Sequence, residues 1–301
     1  MFPQFPAGFA RVAASAGAIG LRTHNGGYPA AGFPLIVHAD DFGESAQITR
    51  GICQGIEAGI VTSTSIMANM PGTQDALARV AALADRASFG VHLNLCEGKA
   101  LTAGGSLVDA NGRFHGKRDL FARSVTGRLA LADLETEITA QIARVRDSGV
   151  RISHVDGHKH LHQLPVVSTA VANVLPRFAI QRVRITRFGR RAGIRNLATL
   201  LREALALKAS RKFYRAGLRS PVRTADLRAL IAVRGRPIVA DWAFIDAAGP
   251  VELCCHPGTH AADVEKPGSH VRWTELQFLL SAEFRERLNV NRVRLVSYWD
   301  V

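Results

Sequence analysis

Apolar positions along this chain gather into short blocks separated by glycine, proline and polar clusters, and the blocks alternate between two periods. Runs of about four to eight apolar or β-branched residues predict strands; apolar residues recurring every three or four positions predict helices. On that basis Phe33–Ala39 is a strand, Ser45 caps a helix running through Ala58, VTSTSIM (61–67) is a second strand and Thr73–Asp85 is a helix. FGVHLNL (89–95) is a third strand, 96–128 reads as Gly-rich and irregular, and 131–148 is an amphipathic helix. RISHVD (151–156) and RVRIT (182–186) are strands flanking a helix over 165–176, with Pro165 near its first turn. PIVADWAF, VELCCH and VRLVSYW close the series as strands, with a helix near 273–287.

Eight strand candidates alternating with helices argue for a parallel α/β fold, and at this length for a (β/α) TIM-like barrel, with room for distortion, over an open sheet. No internal repeat or low-complexity linker divides the chain. We therefore expect a loosely ordered extension over 1–32 and one catalytic barrel domain over 33–301, with a basic helical insertion or lid over 187–236.

The composition, 47% apolar and 21% charged, is that of a soluble globular protein. No apolar run approaches the roughly 20 residues that span a bilayer. The first 32 residues lack a continuous apolar core behind a basic start, so no cleaved secretory signal is expected. Cys53, Cys96, Cys254 and Cys255 contain no pair spaced for zinc or redox chemistry, which favours a reducing cytoplasm. The net charge of +13 is local: residues 177–236 hold 17 Lys or Arg against Glu203 and Asp226.

In parallel α/β folds chemistry collects at the carboxyl ends of the strands. Unusual polar residues recur there: HADD after the first strand, HLN at the third, HVDGHKHLH after the fourth and CCHPG after VELCC. One aspartate of the Asp40–Asp41 pair can ligate a cation while the other stays free as a base. His92 and His158 supply two imidazoles, and one carboxylate with two imidazoles leaves open positions, as a catalytic metal site requires. The cation's charge also relieves the repulsion between the aspartates. Each feature has a bland reading: a solvated turn for Asp40–Asp41, a core histidine for His92, a surface metal scavenger for the histidine cluster and a turn for His256. Together these require four coincidences at one face.

In order along the chain, LIVHADDFG, GIVTSTSIM, GVHLNL with EGKAL, HVDGHKHLH and CHPG resemble the motifs of the YdjC-like carbohydrate deacetylases, which include chito-oligosaccharide and hopanoid-associated deacetylases. The resemblance is good over 33–186 and adequate over 237–301. It implies a (β/α) barrel and metal-dependent removal of the N-acetyl group from an N-acetylglucosamine-type sugar, with lipid or hopanoid linkage left open. Carried onto this sequence, it implies Asp41, His92 and His158 as metal ligands and Asp40 as catalytic base. It also implies His256 as acid or electrostatic stabiliser. Beside the resemblance, the residues themselves offer Asp156 or His160 to orient a ligand imidazole, Arg184 as a partner of Asp40 or equally as a surface strand-end residue, and Asn94 as a supporting or substrate-binding residue. The metal is zinc, which suits mixed carboxylate and imidazole ligands, or magnesium with retained waters. Lys159 within the histidine run and Glu44 after the aspartate pair depart from the family pattern.

Two rival functions carry different signatures: a metal-independent glycoside hydrolase built on paired acids, and a non-catalytic basic protein that binds anionic lipid or nucleic acid. The basic stretch 187–220 is expected to pack an apolar helix face on the barrel or to serve as an anion-facing lid with peripheral membrane contact. Aromatic interleaving is too thin there to suggest nucleic acid. The expected partners are an N-acetylated amino sugar or glycolipid and a second copy of the chain, as a homodimer.

Overall fold

The computed structural model describes residues 32–186, 197–228, 249–259 and 269–301. The fold is built outward from β1 (Phe33–Phe42), in which every residue but Pro34 is buried, as in a parallel strand covered on both faces. There follow α1 (Ala46–Glu57), β2 (Ser63–Ile66), α2 (Thr73–Leu83), β3 (Ser88–Leu93), α3 (Lys117–Val125), α4 (Leu131–Asp147), β4 (Ile152–Gly157), α5 (Pro165–Val174) and α6 (Leu197–Arg215). Then come β5 (Arg223–Asp226), β6 (Val251–Cys255), α7 (Ser269–Leu280), α8 (Ala282–Val290) and β7 (Val293–Leu295).

The strand ladders are parallel, in the order β4–β3–β2–β1–β6–β5, with β7 beside the first residues of β1. The segment 182–186 joins the two ends of this row. Val183 bridges Val155 of β4 while Arg182 bridges Arg219, four residues before β5 begins. The ring so closed is a distorted TIM-like barrel. Alternation along β1 sends Leu35, Val37 and Ala39 into the apolar core. It sends His38 and Asp40 inward, where they meet Ser63, Ser65, Asp156 and Arg184. Around His38 and Asp40 the barrel interior is therefore polar, a small apolar cluster of Ile36, Val296 and Tyr298 lies apart, and the main apolar core is a sleeve between strands and helices.

Several expectations change. The stretch 96–128 contains α3, whose weak pattern (only Leu120 and Ser124 buried) hid it. The helix expected near 273–287 is two helices, because the Ser281 hydroxyl accepts from the Phe284 amide at 3.1 Å and starts α8. Within the basic segment, α6 lies in sequence between 182–186 and β5. PIVADWAF, residues 1–31, and 187–196 and 229–236 of the basic segment lie outside the described residues.

Candidate metal and catalytic centre

The two adjacent carboxylates point in different directions because β1 carries a bulge at this place. Asp41 has φ of +72°, in the left-handed region, and the β1–β2 register shifts between Ala39 and Phe42. That conformation costs a non-glycine residue about 1–2 kcal/mol. Regular alternation would aim Asp41 to the same side as Ala39, into the apolar sleeve; the bulge turns it to the barrel mouth beside Asp40.

There Asp41 Oδ1 lies 2.9 Å from His158 Nδ1 and 3.3 Å from His92 Nε2. The far nitrogen of each imidazole faces a second carboxylate. His92 Nδ1 is 2.8 Å from Asp156 Oδ1, and His158 Nε2 is 3.4 Å from Glu97 Oε1. Glu97 is itself paired with Lys159, which adopts a left-handed conformation with φ of +54°. The other Asp41 oxygen accepts from Arg272 Nη2 of α7 at 2.5 Å, and the same nitrogen reaches Glu44 Oε2 at 2.9 Å. Burial pushes the Asp41 carboxyl up, but His158, His92 and Arg272 outweigh it and hold the group well below the usual carboxylate range. One carboxylate oxygen and two imidazole nitrogens, all within 4.8 Å of one another, make a donor set that fits a divalent cation. Carboxylates behind both rings are the usual means of fixing ligand imidazoles. Other groupings that share Asp40 or Asp156 fit less well, because Arg184 holds both oxygens of Asp40 and also contacts Asp156, whereas Arg272 takes only Oδ2 of Asp41 and leaves Oδ1 to the two imidazoles.

Arg184 is fully buried in the barrel. It grips Asp40 with two hydrogen bonds, Nη1 to Oδ2 at 3.0 Å and Nη2 to Oδ1 at 2.8 Å. It also lies 2.9 Å from Asp156 Oδ2 and donates from Nε to Glu252 Oε1 at 2.8 Å. Tyr298 donates its hydroxyl to the other Glu252 oxygen at 3.0 Å. His38 Nε2 sits 3.3 Å from Asp40 Oδ1 and 3.4 Å from Asp156 Oδ2. Burial raises the Asp40 pKa, but Arg184, followed by His92 and His38, drives it well below the ordinary value.

His256 follows β6, with Nε2 3.7 Å from Asp40 Oδ2 and its amide donating to Glu275 Oε2 at 2.5 Å. Burial, helped by Arg228 and Arg272, brings its pKa down to about 4 despite Asp40 and Asp41, so the ring is neutral at neutral pH. Asp40, Asp41, His92, Asp156, His158, Arg184 and His256 thus converge from five places in the chain. Two expected residues stand differently. Asn94 is buried and shapes the loop that carries Glu97: its amide donates to Asn69 Oδ1 at 3.0 Å and its Oδ1 accepts from the Glu97 amide at 3.1 Å. His160 Nδ1 lies 3.2 Å from Thr186 Oγ1, and the carboxylates behind the His92 and His158 imidazoles are Asp156 and Glu97. Glu97, Arg272, Glu252 and His38 are additions that the sequence reading missed. Glu252 had a signal, a lone acid inside an apolar strand; Arg272 had none.

A cleft of about 750 Å³ opens beside the cluster, lined by Asn69, Met70, Glu97, Lys99, Arg113 and Phe114 among others. Glu97 belongs both to its wall and to the shell around His158.

The profile of the family described as YdjC-like protein matches residues 34–290. A carbohydrate deacetylase of Brevibacillus brevis is 29% identical over 270 residues, covering 89% of this chain and 99% of its own length. One from Clostridium beijerinckii is 28% identical over 270 residues, covering 89% of this chain and 99% of its own length. Among solved structures, a proposed cellobiose-phosphate cleavage protein from Enterococcus faecalis superposes with a TM-score of 0.68 at 22% identity, over 89% of this chain and 98% of that one. The match over nearly all of the folded part leaves one conclusion: this chain belongs to the YdjC-like protein family.

Proposed function

We propose that this chain is a divalent-metal-dependent hydrolase that removes the N-acetyl group from an N-acetylated amino sugar. The observation that carries the reading is the meeting of Asp41, His92 and His158 at one point, with Asp40 and His256 alongside. The names of the relatives support carbohydrate deacetylation as the class of reaction.

A cation on Asp41, His92 and His158 supplies Lewis acidity toward the acetyl carbonyl and toward water, which lets a weak base suffice. Arg184 makes Asp40 a weak base but keeps it ionised and fixed in direction. The attacking water gives its proton to Asp40 while its oxygen bonds to the acetyl carbon. His256, 3.7 Å away and neutral, takes that proton onward. An imidazolium with so low a pKa gives it up readily to the sugar nitrogen as the C–N bond breaks. Acetate and a free amine result. The cleft walled by Glu97 and Phe114 suits the rest of the sugar, and a lipid-borne sugar is the finer form of the proposal. Glycoside hydrolysis needs one of two acids protonated, whereas Arg184 contacts both Asp40 and Asp156 and favours their anions.

The test is acetate release from chitobiose and from lipid-linked N-acetylglucosamine, before and after chelation and after adding back zinc or magnesium. Acetate release that chelation abolishes and metal restores is expected. Full turnover in chelator, or sugar cleavage without acetate, overturns the proposal.

A further inference from the structure

The basic helix α6 has two contrasting faces. Ala206, Ala209, Ser210 and Phe213 are buried against the barrel side. Phe213 stacks on His162 at 6.5 Å between ring centroids, and Lys212 Nζ reaches Thr169 Oγ1 of α5 at 2.7 Å. The apolar demand of the helix is met by that inner face. An ordinary surface helix would then carry polar residues outward. Here Leu200 (51% exposed), Leu207 (46%) and Tyr214 (53%) face outward, each seven residues from the next. Arg211 completes that stripe, and Leu201, Lys208 and Arg215, also seven apart, form a second stripe beside it. None of Lys208, Arg211 and Arg215 has a carboxylate within ion-pair distance among the described residues.

Single exposed leucines are common and need no explanation. Aliphatic residues aligned on one outward face, interleaved with unpaired cations, match a helix that lies in the headgroup layer of a bilayer. In that setting the leucines and the tyrosine ring enter the acyl boundary while arginine and lysine extend to lipid phosphates. A nucleic acid would neutralise the cations but leave the leucines in water, with Tyr214 the one exposed aromatic on this face to stack a base. From Leu200 to Arg215 the face is about 22 Å long at 1.5 Å per residue.

We propose that the outward face of α6 docks this protein onto a membrane surface containing anionic lipid. The proposal does not depend on the deacetylase reading, because docking is measured without substrate.

The experiment is co-sedimentation of the full chain with phosphatidylcholine vesicles, with and without about 30% phosphatidylglycerol, at low and high salt. Binding to the anionic vesicles alone, weakened by salt, is expected. Changing Lys208, Arg211 and Arg215 to Glu together should weaken it on the order of 100-fold. Changing Leu200, Leu207 and Tyr214 to Ser should also release the protein, with an unchanged melting temperature showing that the fold survives. No binding to anionic vesicles at low salt overturns the proposal. So does binding that the leucine variant leaves untouched, which points instead to a general polyanion contact such as RNA or an acidic protein.

Discussion

Asp40 and Asp41 are neighbours in the chain with the same side chain, yet they live in opposite electrostatic settings. Asp40 faces into the barrel and is gripped by Arg184, which also holds Asp156 and Glu252. Asp41, turned outward by its left-handed backbone, faces two imidazoles and the edge of a guanidinium. In one pocket the fixed cation holds both oxygens of its aspartate. In the other, Arg272 takes only Oδ2 of Asp41 and leaves Oδ1 between two imidazoles, an arrangement that a divalent cation completes. A single bulge in β1 separates the two functions: a carboxylate kept anionic by the protein, and a carboxylate available to a metal.

Removing the fixed cation should have the largest effect. Arg184→Met leaves Asp40, Asp156 and Glu252 buried without their partner, and stripping one member from such a group costs about 3–5 kcal/mol. Urea unfolding should show that loss; a variant as stable as the wild type would mean the carboxylates do not depend on Arg184. The paired variants Asp41→Asn and Asp40→Asn divide the two pockets. Asp41→Asn should abolish zinc binding in calorimetry together with acetate release. Asp40→Asn should leave zinc binding within a few-fold and lower kcat by about 10²–10⁴. If both variants lose metal equally, the separation of roles is wrong.

A smaller effect tests the carboxylates behind the imidazoles. Asp156→Asn and Glu97→Gln should each weaken metal affinity about 10–100-fold. Asp156 also contacts Arg184, whereas Glu97 sits at the rim with Lys159, so Glu97→Gln should lower affinity without lowering stability. Equal stability losses in the two variants would erase the distinction between inner and outer pocket.

The sequence made the mouth of the barrel legible because its residues sit at strand ends, where polar side chains interrupt apolar runs. HADD, HLN, HVDGHKHLH and CCHPG mark four such ends, and all contribute to the centre. Supporting residues were less legible, for physical reasons. Glu252 and His38 face inward from strands, and their burial becomes tolerable only through partners brought from elsewhere by closure of the ring. Arg272 lies on α7 and reaches Asp41 across 231 positions of sequence, a contact that no local pattern encodes. The departures at Glu44 and Lys159 also acquire meaning only in three dimensions, since each is one half of an ion pair at the rim. For β5, the sequence RTAD (223–226) carries too little apolar periodicity to announce a strand that its neighbours impose.

The inner pocket also has a support that titrates. His162 is buried and its Nε2 donates to the Arg184 carbonyl at 2.9 Å, which ties the segment carrying the fixed cation to the turn carrying His158. Its ring lies against Gly157, where an added Cβ would meet Nδ1 at 2.7 Å, so the imidazole fills space reserved for it. Burial, partly offset by the bond to Arg184, lowers its pKa to about 4, against about 6.5 in an unfolded chain. Between those values the unfolded state binds a proton that the folded state does not, so stability rises with pH across this window and falls on acidification. Below about pH 4 both states are protonated and this contribution is gone. His162→Gln keeps an amide to donate to the Arg184 carbonyl but removes the titration. Its stability should be less sensitive to acid between about pH 6.5 and 4, by about one proton and at most about 3 kcal/mol over the window. Urea melts at a series of pH values read this directly, and parallel curves for the variant and the wild type would show that His162 does not hold Arg184 as a neutral ring.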